Sequence, residues 1–311
     1  MKCKIKKKVI SLMLCFSFLL SLKIFHKTFF KQNFKEFYNI NGKIEKILDE
    51  EYLISSHIPF DKGMVPQGID LNDDFIFISL YDSFKKDSSV ILIFDYKMNF
   101  INKAELNNFS HVGGISLDEK NKLLWVSGTY GSVNAYNVRD LLENSSVKPV
   151  FSNSSVGNGL INFRGQRAVS YLTVCDDKLF VGNYTLFNNG ILKEYEIISD
   201  NDKLSLNYIR KVDAPSCVQG VSVFGDDESK YISFSRSFGS DMDSVIQIYS
   251  FDDNFSINNE CVTIELDSML EQISFERNKM YGIYESNASI YSDGSYKEDI
   301  FAIDVMKYIK K

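Results

Sequence analysis

One hexapeptide and its echoes constrain this chain more than anything else in it. Val65-Pro66-Gln67-Gly68-Ile69-Asp70 leads through the turn triplet Asn72-Asp73-Asp74 into Phe75–Tyr81, an apolar run with β-branched and aromatic character. Variants recur at Val112–Ser116, Ser170–Val174, Val218–Ser222 and Leu270–Ser274, each followed by a turn and a second run. The onsets Gln67, Gly113, Ser170, Gln219 and Glu271 lie 46, 57, 49 and 52 residues apart. Blades of four short strands repeat at roughly 40–50 residues. The spacing predicts an all-β fold, a β-propeller of five four-stranded blades. Six blades are the alternative, if the Gly-, Asn- and Ser-rich tract Ser152–Gly165 hides strands; otherwise that tract is a long loop over one face. A pair of β-sandwiches competes, because the repeat is irregular. No long helical period follows residue 51.

Read as blades with the innermost strand first, blade one takes Gly68–Leu71, Phe75–Tyr81, Val90–Tyr96 and Phe100–Leu106. Blade two takes Gly114–Leu117, Leu123–Gly128, Gly131–Val138 and Val147–Ser152. Blade three takes Val169–Cys175, Lys178–Asn183, Ile191–Ile197 and Leu206–Val212; blade four takes Gly220–Phe224, Tyr231–Ser235, Ser244–Phe251 and Cys261–Leu266. Blade five has only Gln272–Glu276, Lys279–Tyr284 and Asp299–Val305. The strand-like Glu51–Ile58 is expected to supply its outer strand and close the ring, removing an exposed edge.

The domain therefore spans 51–311, behind a leader at 1–25 and a spacer at 26–50. Lys2, Lys4, Lys6, Lys7 and Lys8 precede an apolar stretch, Val9–Leu22, that ends at Lys23. Its length suits a signal-peptide core better than a full membrane span, which needs about 20 residues. No small-residue cleavage site follows, and Ile24 and Phe25 can extend the stretch past a snorkelling Lys23. A signal peptide and an uncleaved signal anchor both stay open. Either places the rest of the chain outside the cytoplasm. An uncleaved segment would attach it to the membrane. Within the spacer, Lys43–Glu51 is expected to form a short helix.

Charge excludes one class of partner. A net charge of −6 and a pI of 5.3 leave no basic footprint for nucleic acid. Nor is there a phosphate loop or dinucleotide fingerprint. Beyond the leader, Cys175, Cys217 and Cys261 are too few and too widely spaced for a disulfide framework or zinc site.

Propeller topology says where polar groups converge. Inner strands begin, and second strands end, at the same mouth of the central channel. The first set offers Gln67, Gln219 and Glu271, with His111, Arg167 and Gln272 nearby. The second offers Tyr81, Tyr130, Asn183, Tyr184, Arg236 and Glu285. Such a rim can hold a ligand. Polar strand ends also satisfy backbone groups, so structural roles compete at every position. Glu271 and Glu285 sit opposite one another on one blade, and paired carboxyls can do acid/base work or hold calcium.

Met64–Ile69, Ser110–Ile115, Ser235–Gly239 and Tyr284–Ala288 resemble motifs of a group of uncharacterised exported bacterial β-propeller proteins, which distantly resemble lactonase- and esterase-type propellers. The resemblance spans about residues 60–305. It implies calcium as a possible cofactor, with Glu271, Asn183 and Glu285 as possible ligands. The leading expectation is an extracytoplasmic propeller that binds a glycan, peptide or small molecule at the channel rim, with Tyr81, Tyr130 and Tyr184 available for stacking and no turnover assumed. The alternative is a hydrolase of lactone, ester or glycoside type. A third is a partner protein in an envelope assembly.

Overall fold

The structure, a computed structural model, describes residues 34–46, 63–200, 203–225, 229–240, 242–252, 255–285 and 300–309. The leader and the expected closing strand Glu51–Ile58 lie outside the described residues. A short helix, α1 (Phe34–Phe37), precedes β1 (Ile44–Lys46). Blade one comprises β2 (Met64–Leu71), β3 (Phe75–Asp82), β4 (Val90–Asp95) and β5 (Phe100–Glu105). Blade two comprises β6 (Ile115–Asp118), β7 (Leu123–Ser127), β8 (Val133–Asn137) and β9 (Phe151–Asn153), with helix α2 (Val138–Glu143) between the last two strands. Blade three holds β10 (Tyr171–Cys175), β11 (Lys178–Gly182), β12 (Gly190–Asp200) and β13 (Lys203–Ala214). Blade four holds β14 (Val218–Gly225), β15 (Lys230–Arg236), β16 (Ser244–Phe251) and β17 (Ile257–Leu266). Blade five has β18 (Leu270–Glu276), β19 (Lys279–Tyr284) and β20 (Phe301–Ile303), before a final turn of helix, α3 (Met306–Ile309).

The arrangement is a five-bladed propeller. Within each blade the strands pair in chain order and antiparallel. The inner strands β2, β6, β10, β14 and β18 adjoin one another in turn, and β18 adjoins β2. Large apolar side chains fill the spaces between blades. Ile69, Ile76 and Ile78 of blade one meet Tyr281 and Ile283 of blade five. On its other side blade one brings Phe77, Ile91 and Ile93 to Ile115, Leu124 and Val126 of blade two. Trp125 anchors the junction of blades two and three with Leu172 and Val181. The inner and second strands bury both faces, which is why they read as apolar runs, whereas the outer strands β5, β9 and β13 expose much of their length.

Three details depart from the sequence expectation. Ile44–Lys46 is a strand instead of part of a helix, and it adds parallel to the outer edge of blade four, with Ile44 opposite Thr263. An open edge supplies backbone partners that three residues of helical propensity cannot match. The stretch expected as a spacer also packs its Tyr38 and Ile40 against Cys217, Met242 and Val245. In blade two the outer strand is shorter than expected, because the chain turns helical after Asn137, whose side chain caps α2 by accepting from Arg139 N.

The inner strands are close enough for glycine to matter. A Cβ at Gly114 would sit 2.5 Å from Leu172 N and 2.9 Å from Tyr171 Cα, both backbone atoms of the next blade. Gly114→Ala is expected to cost about 1–3 kcal/mol by overpacking. Urea denaturation of wild type and variant measures it, and equal midpoints would contradict this packing.

Candidate functional site

Three β-bulges shape the channel mouth. Register shifts occur between Pro66 and Gly68, between Val218 and Gly220, and between Leu270 and Ile273. They fall at Gln67, Gln219 and the Glu271–Gln272 pair, the onset residues of blades one, four and five. A bulge re-aims the side chain it carries. In blades two and three the inner strands start only at Ile115 and Tyr171, so Gly113 and Ser170 lie in the segments leading in.

A cluster drawn from all five blades surrounds the mouth. Gln219 Nε2 donates to Glu271 Oε1 at 3.1 Å. Glu271 is buried, and burial together with the charge of Glu285 holds its carboxyl well above the ordinary range. Glu285 is hydrogen-bonded to the Tyr81 hydroxyl. The Tyr81 ring stacks on His111 at 4.3 Å between centroids. Tyr184 donates its hydroxyl to Ser237 O at 3.2 Å and lies in the field of both glutamates. Burial first, then the two carboxyls, raise the tyrosine pKa of Tyr81; Tyr184 is raised by burial, then by Cys217 and the same carboxyls. His111 is exposed at the mouth, and desolvation by the surrounding protein and then Arg164 push its pKa down. The mouth therefore carries one carboxyl biased toward its protonated form, one carboxyl that accepts from a phenol, an imidazole and an amide, a set that can both donate and accept hydrogen bonds.

Other residues expected at the rim hold the fold together. Arg236 donates to Ser216 O, Tyr38 O and Gln247 Oε1, and its guanidinium lies 4.9 Å from the Tyr38 ring centroid. Gln272 crosses the channel, accepting from Ile115 N and donating to Ile115 O. Asn183 donates to Ile161 O at 2.6 Å and accepts from Ile191 N at 2.9 Å. Arg167 donates to Tyr130 O and Asn158 Oδ1, which pins two loops together. Tyr130 itself points to solvent, 82% exposed, away from the carboxyl cluster. Gln67 is fully buried; its amide donates to Pro66 O, and its Oε1 has no hydrogen-bond partner among the described residues. Asn183 is thus committed to two backbone groups.

Residues that the repeat did not point to complete the mouth face. Strand direction puts the loops after β3, β5, β7, β9 and β11 on this side. Besides Tyr130, already expected at the rim, they carry the exposed Phe84, Phe109, Ile161, Phe163 and Phe187. These loops are held in shape. Asp82 accepts from Phe84 N, Lys86 N and Asp87 N, and Lys193 Nζ donates to Val156 O beneath the tract expected to cover one face. Phe163 of that tract packs edge-on to Tyr184 with centroids 5.8 Å apart, and Arg164 lies 5.1 Å from the Phe163 ring. The signal was present in the sequence as one large apolar residue in each polar loop, but a single exposed aromatic has no period to betray it.

The shifted carboxyl predicts a pH dependence. Folded Glu271 keeps its proton above the ordinary value of 4.5, whereas the unfolded chain releases it there. The folded state then binds more protons, so this group's contribution to stability falls as pH rises above that value. Glu271→Gln is expected to be more stable than wild type at pH 8, with the gap closing toward pH 4. Thermal melts across that range measure it; a gap independent of pH would mean that Glu271 is ionised in the fold.

No protein-family model and no curated protein matches the chain. Among solved structures it is similar to the WD40 repeats of RRP9, with TM-score 0.45 and 7% identity over 78% of this chain and 95% of that one. The structure of U3-55K gives TM-score 0.45 and 7% identity, covering 78% and 96% of the two chains. A hypothetical selenium-binding protein from Sulfolobus tokodaii gives TM-score 0.42 and 11% identity, covering 77% and 61%.

Proposed function

We propose that this chain is an extracytoplasmic binding propeller that takes a glycan at the mouth of its channel, without turnover. The observation that carries the reading is the carboxyl pair set between Tyr81 and Tyr184 beneath a crown of exposed aromatics. Sugar rings present apolar faces to aromatic side chains and hydroxyls to planar polar groups. Glu271, Glu285, Gln219 and His111 supply such groups with both donor and acceptor character. The extracytoplasmic assignment rests on the lysine-rich start and the apolar Val9–Leu22 stretch. Calcium is not part of this reading, since Asn183 is engaged elsewhere.

One observation favours a second reading. Burial and Glu285 favour the protonated form of Glu271 while Glu285 accepts a hydrogen bond from Tyr81, and an acid beside a base is what hydrolysis of a lactone, ester or glycoside requires. Glycan-array screening followed by titration calorimetry distinguishes the two. Phe163→Ala, at an exposed position, is expected to weaken a glycan hit by about tenfold. Glu285→Gln is expected to weaken it too. Turnover of a lactone, ester or glycoside by wild type that disappears in Glu285→Gln would replace binding with hydrolysis. A calcium-dependent rise in melting temperature, lost in Glu285→Gln, would put a metal at the mouth and overturn the metal-free reading.

A further inference from the structure

The far end of the channel has a different chemistry. The third residue of the inner-strand repeat is Asp70, Ser116, Thr173, Ser222 and Ser274 in blades one to five. Four of these reach a neighbouring blade. Asp70 Oδ2 accepts from Leu117 N at 2.6 Å, Ser116 Oγ from Val174 N at 2.9 Å and Ser222 Oγ from Phe275 N at 3.1 Å. Ser274 Oγ donates to Asp70 Oδ1 and closes the belt. Thr173 is the exception: it is only 7% exposed, lines the cavity below the belt, and its hydroxyl has no hydrogen-bond partner among the described residues.

That cavity measures about 450 Å³. Gln272, bonded to both backbone groups of Ile115, lies across the channel between it and the mouth. Its walls carry six carboxyls, Asp70, Asp118, Glu119, Asp176, Asp177 and Glu276, against the single cation Lys120. Lys120 is already paired with Asp177 at 2.6 Å. Asp118 is occupied by Asn121 and by Trp125 Nε1. Among the described residues Glu119 and Glu276 have no cationic partner of this kind. Burial, then Glu119 and Asp70, raise the pKa of Glu276, the direction expected of a carboxyl facing uncompensated like charge.

We propose that this cavity is a second binding site, for a small organic cation bearing a primary ammonium group. The ammonium donates to the Thr173 hydroxyl, and the carboxylates of Glu119 and Glu276 neutralise it. The acids are spread around an opening instead of gathered: among the described residues no group of three or more His, Cys, Asp and Glu is placed to hold one metal ion. Several N–H donors along a short chain match that spread better than a point charge does. Free diamines and a lysine side chain on a peptide share this chemistry.

The test is a thermal-shift and calorimetric titration of the full chain with 1,5-diaminopentane, with Nα-acetyl-lysine amide, with 1,5-pentanediol, and with sodium and magnesium chloride at matched ionic strength. A rise in melting temperature with the diamine or the lysine derivative, but not with the diol or the salts, is expected, and the tighter of the two identifies the source. Thr173→Val, and separately Glu119→Gln with Glu276→Gln, should each weaken the response by about tenfold. These positions lie outside the interblade belt, so the variants should fold; unchanged far-ultraviolet circular dichroism checks that. Glu285→Gln at the mouth should leave the cation response as it is, which separates this site from the glycan reading. Equal shifts from magnesium or sodium chloride, no shift from either amine, or an undiminished shift in the Glu119 and Glu276 double variant would overturn it.

Discussion

The inner edge of each blade is the constraint on which the molecule depends. An inner strand has a hydrogen-bonded neighbour on one side only, so its other edge offers unpaired N–H and C=O groups to the channel. Neighbouring blades satisfy them with short side chains. Asp70, Ser116 and Ser222 accept from the next blade's backbone, while Ser79 Oγ donates to Val112 O and Ser235 Oγ to Glu271 O. Each such bond is worth only about 0.5–1.5 kcal/mol net, but leaving the buried group unpaired would cost more. The belt needs close approach, and Gly114 and Gly220 permit it by having no Cβ to collide with the following inner strand.

From that ring the two ends of the channel acquire separate characters. At one end the bulges turn Gln219 and Glu271 toward the opening, where Glu285 joins from the same blade as Glu271 and Tyr81, His111 and Tyr184 arrive from others. At the other end the belt residues face a cavity rimmed by acids. Gln272 lies between them. The loops follow the same division, because successive loops within a blade alternate between faces. Those that carry Phe84, Phe109, Phe163 and Phe187 surround the mouth, while Asp-rich turns such as Asn72–Asp74 and Asp176–Asp177 surround the far end. The N-terminal segment is fastened to the side of this frame. Arg236, buried between strands, neutralises no acid directly but caps Tyr38 O and stacks on its ring, which seats the preceding helix and lets β1 extend blade four.

Much of this was readable in one dimension. The period of Gln67, Gly113, Ser170, Gln219 and Glu271 favours five blades, and the apolar runs after each are enough for the second strands, because a propeller repeats one local pattern. The mouth was likewise legible as a set of strand ends. Which strand ends serve the site was not. Arg236, Asn183, Arg167 and Gln272 look like Glu271 and Glu285 in the sequence, polar residues at the right offsets. Only the packed structure reveals that the first four are saturated by backbone carbonyls, amides and neighbouring side chains.

The boundary between the two kinds of information has a physical basis. Strand periodicity, turn residues and the Gly-Ile-Asp and Gly-Ile-Ser echoes are local, so order along the chain suffices for fold class, while the choice of five blades over six took the sheet topology. The raised carboxyl of Glu271, the Tyr81–His111 stack and the Thr173 hydroxyl, without a hydrogen-bond partner among the described residues, depend on groups distant in the chain meeting around one axis. Burial and electrostatic coupling arise only from that meeting, which closure of the ring alone decides.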